Sequence, residues 1–168
     1  MSYVPALTVI HTLISLVALA LGVPVLQRLL GHAVSPRWTD WFLGLAVATS
    51  VTGFMFPFTG VTPAFVTGIV ASVVLALVLL ARHVFGLAGP WRWIYATGMV
   101  VSVYLLAFVT VVQAFLKVPF LFDLAPTQTE LPFLIAQIAT LALFVALGVL
   151  AASRFKGVAG DMPGVRIA

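Results

Sequence analysis

Residues 93–116 read WIYATGMVVSVYLLAFVTVVQAFL, a run without a single charged side chain. A helix needs about 20 apolar residues to cross the roughly 30 Å hydrocarbon core of a bilayer. Every backbone N–H and C=O must be paired within such a segment, because hydrocarbon offers no hydrogen-bonding partner. This stretch therefore predicts a membrane-spanning helix, and it sets the class of the fold.

Four other charge-free stretches of similar length flank it along the chain. Prolines and glycines separate them, as is usual for connections between helices. The sequence thus predicts an all-α integral membrane bundle in one transmembrane domain, residues 1–155, followed by a short cytoplasmic tail, residues 156–168. With the stretch quoted above as the fourth, its five transmembrane helices are expected at about 6–27, 41–58, 64–81, 93–116 and 133–153.

The composition supports a membrane protein and excludes several other classes. Hydrophobic residues make up 63% of the chain and charged residues only 7%, and the mean hydropathy is +1.24. Soluble domains carry about 25% charged residues, so a soluble enzyme, a nucleic-acid partner and a disordered chain are not expected. The chain has no cysteine, which excludes disulfides, thiolate zinc sites and iron–sulfur clusters.

The distribution of cations predicts the orientation of the bundle. With five crossings, Lys117 is the only cation expected on one side of the membrane. Because cytoplasmic loops are enriched in Lys and Arg, this asymmetry predicts that the N-terminus lies outside and the C-terminus in the cytoplasm. No basic residue precedes the first stretch, so we interpret it as a retained helix and not as a cleaved signal peptide. The cations expected on the cytoplasmic side are Arg28, Arg37, Arg82, Arg92, Arg154, Lys156 and Arg166.

Polar side chains within the spans cluster at one depth and predict a ligand pocket. Counted at 1.5 Å per residue, they fall within about 14 Å of the outer boundary. A pocket with apolar walls and a few convergent polar groups is typical of small-molecule binding, although such groups also hydrogen-bond neighbouring helices. The candidate ligand-binding residues are His11, Thr49, Thr52, Gln113, Lys117 and Gln137.

The sequence offers little support for a catalytic or metal centre. No hydrolase, nucleotide-binding or zinc-protease motif is present, so no catalytic residue and no metal site is expected. His32 and His83 are the only histidine pair expected on the same side of the membrane. That pair is the one geometric option for haem within a single chain, and the cofactor stays open between quinone, haem and none.

Two further patterns make local predictions. Gly98 and Ser102 form a small-residue pair of the kind that lets helix backbones approach closely in membranes. Thr127 and Glu130 are spaced as in a capping box at the start of the last helix. Lys117 is interpreted as an interfacial anchor, or as an ion-pair partner of Asp123 or Glu130.

The second half of the chain resembles a known group of proteins. The stretches that carry the likeness are Trp91-Arg-Trp-Ile-Tyr, Val112-Gln-Ala-Phe-Leu-Lys-Val-Pro, and Leu124-Ala-Pro-Thr-Gln-Thr-Glu continuing to Gln137. They resemble small bacterial multi-span inner-membrane proteins of unassigned function. The resemblance implies a bacterial membrane protein, and it implies no activity and no catalytic residues.

Three hypotheses of function follow from these patterns. The first is binding of a small amphipathic ligand, a quinone or a lipid, in the outer leaflet. The second is an accessory or assembly role beside a membrane-protein partner in a larger complex, such as a respiratory complex. The third is a small transporter acting as a homo-oligomer. An enzymatic role is the least favoured, because the chain shows no ligand set for a redox cofactor.

Overall fold

The computed structural model describes residues 3–31 and 35–155. These residues form six helices and no strand. The all-helical fold expected from the sequence is therefore confirmed. The helices are α1 (Tyr3–Leu30), α2 (Pro36–Phe54), α3 (Pro63–His83), α4 (Trp91–Lys117), the short α5 (Pro119–Leu124) and α6 (Leu131–Arg154).

Four of these helices, α1, α3, α4 and α6, are long and apolar enough to cross a membrane. Each contains most of one charge-free stretch recognised in the sequence. The remaining predicted span, the second along the chain, corresponds to α2, a 19-residue helix that carries Arg37 and Asp40 near its start. These two charges and the neighbouring polar residues lower its apolar content. Length and composition thus support four of the five predicted crossings.

The connection between α2 and α3 begins earlier than the sequence predicts. The second span is expected to continue to residue 58, but α2 ends at Phe54. Pro57 explains the difference, because proline disfavours helical backbone in the residue before it and cannot donate a backbone hydrogen bond. The next helix starts at Pro63, where the Thr62 hydroxyl accepts a hydrogen bond of 3.1 Å from the N–H of Phe65.

Successive long helices run in opposite directions. At one end of the bundle, Arg82 near the end of α3 bonds Asp40 near the start of α2. At the other, the rings of Phe115 in α4 and Phe133 in α6 meet edge to face at 5.4 Å. We call the end containing Arg82 the arginine end and the end containing Lys117 the Lys117 end.

Helices α1 to α4 form a closed ring, and α4 also joins this ring to α5 and α6. Helix α4 contacts α1, α3, α5 and α6, while α6 packs mainly on the outer side of α4. The apolar core lies towards the arginine end, where every helix of the four contributes buried side chains. Its largest fully buried members are Phe42, Val78, Tyr95, Met99, Val100 and Val103.

A polar network ties three helices together beside this core. The guanidinium of Arg82 donates to the Asp40 carboxylate at 2.6 Å and to the Tyr95 hydroxyl at 3.4 Å. Tyr95 is 1% exposed, so its hydroxyl needs such a partner. The Arg82 side chain is only 13% exposed, and its ion pair with Asp40 offsets part of the desolvation of that charge.

Glycines allow the helix backbones to approach closely at the arginine end. A Cβ atom added at Gly98 in α4 would lie 2.5 Å from Cγ2 of Val78 in α3. One added at Gly22 in α1 would lie 2.8 Å from Val103. The close packing expected around Gly98 is therefore present, and it joins α4 to α3.

Replacing Gly98 by alanine should destabilise the bundle. Overpacking of this kind typically costs about 1–3 kcal/mol, which exceeds the gain of up to about 1 kcal/mol from better helix propensity. Thermal unfolding of the purified protein in detergent measures the change. Gly44→Ala is the matched control, because nothing lies within 4 Å of a Cβ added there. Equal melting temperatures for the two variants would contradict the close α3–α4 contact.

The segment before α6 is held together by Glu130. Its carboxylate accepts hydrogen bonds from the hydroxyl of Thr127 at 2.8 Å and from the N–H groups of Thr127 and Thr129 at 3.2 and 3.1 Å. The predicted capping box is wrong, because α6 begins at Leu131 and Glu130 itself is the residue before the helix. Partial desolvation raises the pKa of Glu130, but these hydrogen bonds lower it by more. The net result is a pKa below the ordinary value of a glutamate.

The turn formed by residues 127–130 should loosen in acid. Because the pKa of Glu130 is lower in the folded protein than its ordinary value of 4.5, its contribution is complete above that pH. It is lost as the pH falls through the lower folded pKa. The measurement is the protection of the Thr129 amide from hydrogen exchange, relative to an unfolded amide at the same pH, compared between neutral and strongly acidic pH. In Glu130→Gln, the Thr129 amide should be less protected at neutral pH, and acid should reduce its protection less. If acid reduces the protection equally in both proteins, Glu130 is not the group that holds this turn.

Candidate functional site

A half-enclosed cavity of about 520 Å³ lies between α1, α2, α3 and α4 towards the Lys117 end. The four helices pack tightly at the arginine end, so the apolar core closes the inner end of the cavity. Its deepest lining residues are Ala46, Leu75 and Ser102, which are all buried. The connection between α2 and α3, residues 55–62, contributes further lining at the Lys117 end. Within the described part of the chain, the cavity is thus closed at the arginine end.

The cavity brings together most of the candidate residues from the sequence. Four of them, His11, Thr49, Gln113 and Lys117, line it directly. Thr52 lies behind His11 and is hydrogen-bonded to it. These residues belong to α1, α2 and α4, so they meet only because neighbouring helices alternate in direction.

Gln137 lies elsewhere. Its side-chain amide donates a hydrogen bond of 3.4 Å to the carbonyl oxygen of Phe108, across the contact between α6 and α4. It therefore links two helices and is not among the residues that line the cavity. Its depth in the membrane matches that of the other candidates, but α6 packs on the opposite side of α4.

The histidine pair considered for haem is not brought to the cavity. His83 is exposed at the last residue of α3, at the arginine end. His32 lies outside the described residues. Among the described residues, no group of three or more His, Cys, Asp or Glu side chains is placed to hold a metal ion.

The contact between His11 and Thr52 determines which nitrogen of the imidazole carries a proton. Oγ1 of Thr52 lies 2.8 Å from the carbonyl oxygen of Ala48 and 2.8 Å from Nδ1 of His11. Thr52 Oγ1 also lies 3.1 Å from the carbonyl oxygen of Thr49. Because carbonyls can only accept, these two contacts favour donation of the single hydroxyl proton to the backbone, and the Thr52 oxygen then accepts from His11. This arrangement favours the Nδ1–H tautomer of neutral His11, whose Nε2 has no hydrogen-bond partner among the described residues.

Among the described residues, five of the ten hydroxyls that line the cavity have already used their proton. Those of Thr8, Ser15, Thr67, Ser102 and Thr110 each donate to the carbonyl four residues earlier in their own helix, at 2.6–2.8 Å. Such a hydroxyl can still accept a hydrogen bond, but it has no second proton to donate. The cavity wall is therefore rich in acceptors.

Other lining side chains keep donors that no described residue uses, among them Thr49, Gln113 and Lys117 as well as Thr12, Ser50 and Thr59. The Thr49 hydroxyl is buried without a hydrogen-bond partner. The Gln113 amide and the Lys117 ammonium form no hydrogen bond within the described chain, and both are exposed. Since Lys117 also forms no ion pair with Asp123 or Glu130, the ion-pair interpretation made from the sequence is wrong.

An aromatic cluster forms the wall contributed by the α2–α3 connection. The edge of one ring meets the face of the next in each pair: Phe54 with Phe65 at 5.8 Å, and Phe58 with Phe65 at 5.2 Å. Phe56 makes the same type of contact with the imidazole of His11, with ring centroids 5.5 Å apart. The sequence analysis did not identify these rings as part of the site. Their concentration in residues 54–65, beside Pro57, is the signal that could have found them.

Comparison with protein-family models, with curated proteins and with solved structures finds no match to this chain. Two of the residues that line the cavity, His11 and Lys117, have ionisable side chains. The arrangement is suited to holding a molecule that has both apolar and hydrogen-bonding parts.

Thr52→Val should change the tautomer of His11. Valine keeps the shape of threonine but removes the oxygen that accepts from Nδ1–H, so the proton should redistribute towards Nε2. Nitrogen-15 NMR of histidine-labelled protein distinguishes the two forms, with Nδ1–H expected in the unmodified chain. Thr49→Val is the control, because Thr49 makes no hydrogen bond to His11. An Nε2–H signal in the unmodified chain would contradict the proposed network.

Proposed function

We propose that this chain is a multi-pass inner-membrane protein that binds a small amphipathic ligand, such as a quinone or a lipid, in the cavity between α1 and α4. The observation that carries the proposal is the convergence of His11, Gln113 and Lys117 on one recess. Its volume of about 520 Å³ falls in the range of about 300–1,000 Å³ that is usual for small-molecule sites.

The apolar and polar parts of the cavity suit an amphipathic molecule. Leu75, Leu105 and Leu106 offer an apolar surface towards the closed end. Gln113 and Lys117 offer unused donors on the last turns of α4. A ligand can therefore bury its apolar part against the leucines while its polar part bonds near the Lys117 end, as is typical of sites with few convergent polar groups.

Five crossings of the membrane are supported by the position of α2. Helix α1 ends at Leu30 at the arginine end, and α3 starts at Pro63 at the Lys117 end. The chain between them must therefore cross the thickness of the bundle. Helix α2 covers roughly 28 Å at 1.5 Å per residue, close to the hydrocarbon thickness.

The charges of the described residues support an orientation with the Lys117 end outside. The arginine end carries five arginines, and the Lys117 end carries one cation. Since cytoplasmic ends are enriched in Lys and Arg, the cavity would open towards the outer side of a bacterial inner membrane. The five are Arg28, Arg37, Arg82, Arg92 and Arg154.

The closed end of the cavity favours binding over transport. Phe42, Val78 and Met99 lie beneath it and are each 0% exposed. Tightly packed interiors leave few voids larger than a water molecule. A transport pathway through this arrangement would require the core to open, whereas binding requires no such change.

Binding can be tested with a radiolabelled short-chain ubiquinone and protein in lipid nanodiscs, with empty nanodiscs as the blank. His11→Ala and Gln113→Ala should each weaken binding roughly two- to tenfold, because each removes one hydrogen-bonding group from the cavity. Gln137→Ala is the matched control: it also removes a membrane-embedded polar group, but one outside the cavity.

Two outcomes would contradict the proposal. One is binding no stronger than that of empty nanodiscs, both for the ubiquinone and for lipids extracted with the purified protein. The other is equal loss of affinity in Gln137→Ala and in the two cavity variants, since this would report on general stability. Thermal unfolding of each variant separates the two causes.

A further inference from the structure

We propose, on the basis of the binding function above, that the preferred ligand is a single-chain amphiphile with an anionic oxygen head group, and that Lys117 holds this head group. The head group would be a carboxylate or a phosphate, and its acyl chain would extend towards the closed end of the cavity. The inference deepens the proposed function because it assigns a charge to the ligand.

The charge of the cavity lining is the first argument. Within the described chain, Lys117 is the one lysine or arginine that lines the cavity, and no Asp or Glu lines it. A ligand that enters with a negative charge therefore meets a positive charge and no negative one. A cationic ligand would meet only repulsion from Lys117.

The lack of a competing partner is the second argument. Asp123 and Glu130 are the acidic residues nearest to Lys117 along the chain, and neither forms an ion pair with it. The Glu130 carboxylate is occupied by three hydrogen bonds from Thr127 and Thr129. An anionic ligand would thus not have to displace an internal ion pair before it could bind Lys117.

The third argument is the pairing of two donors at the Lys117 end, where the head group would lie. The hydroxyl protons of Thr12 and Thr49 are unused within the described chain. Ser15 and Ser102, in contrast, have donated theirs to backbone carbonyls. They present lone pairs, which an anion avoids. Gln113 and Lys117 lie one helical turn apart on the same face of α4, so their donors can act on one head group together.

The size of the cavity is the fourth argument, and it limits the ligand to one chain. A volume of about 520 Å³ matches a drug-sized molecule, and a phospholipid with two long acyl chains is considerably larger. A free fatty acid and a lysophospholipid share the required chemistry. The experiment therefore uses one of each.

Equilibrium binding to the full chain in neutral-lipid nanodiscs tests the proposal, with empty nanodiscs as the blank. The probes are laurate, lauroyl lysophosphatidate, dodecanol and dodecyltrimethylammonium, which share chain length and differ in head group. At least one of the two anions should bind about tenfold more tightly than dodecanol, as expected for a charge-assisted hydrogen bond. The cation should bind most weakly. The stronger of the two anions identifies the source, carboxylate or phosphate.

Three variants assign the preference to Lys117. Lys117→Gln should weaken anion binding about tenfold and leave dodecanol binding unchanged. Lys117→Arg should keep most of the preference for the anions over dodecanol. Arg37→Gln, which removes a cation at the arginine end, should have no effect. Thermal unfolding confirms that each variant is folded.

The outcomes separate this inference from the proposed function. If dodecanol and the anions bind equally, or if Lys117→Gln weakens both equally, the charge assignment is wrong while ligand binding stands. If none of the probes, nor the short-chain ubiquinone, binds above empty nanodiscs, both proposals are wrong. Anion preference that survives in Lys117→Gln would assign the charge recognition to another residue and overturn the role of Lys117.

Discussion

Hydrocarbon provides no partner for backbone N–H and C=O groups, and the rest of this structure depends on that constraint. It makes each apolar stretch a helix, and it also governs the polar side chains. Thr8, Ser15 and Thr110 satisfy their hydroxyl protons on carbonyls of their own helices. The hydroxyls that have donated are left as acceptors. In the proposed site, the donors of Gln113 and Lys117 are the ones placed to bind a ligand head group.

The two ends of the bundle differ in how closely the helices pack. At the arginine end, Gly22 and Gly98 bring the backbones together, and Arg82 links Asp40 with Tyr95. In membranes such close packing supplies much of the association energy of helices, because burial of apolar surface supplies little. Towards the Lys117 end, the space between helices α1 to α4 is the cavity.

Much of the fold follows from the sequence, because its signals are local. Charge-free length predicts the helices, and depth along each helix predicts that His11, Thr52 and Gln113 lie at one end. The rotation of a helix about its axis depends on its neighbours, so depth did not reveal that Gln137 faces Phe108. The Nδ1–H tautomer of His11 depends on a partner 41 residues away in the sequence.

The most direct test of the account is the side of the membrane on which each end of the bundle lies. The chain has no cysteine, so single cysteines can be placed in two exposed turns, as Thr59→Cys at the Lys117 end and Ala88→Cys at the arginine end. In intact spheroplasts, a membrane-impermeant thiol reagent should label Thr59→Cys at once and Ala88→Cys only after permeabilisation. Labelling of both positions from outside, or the reverse order, would contradict five crossings with an outward-facing cavity.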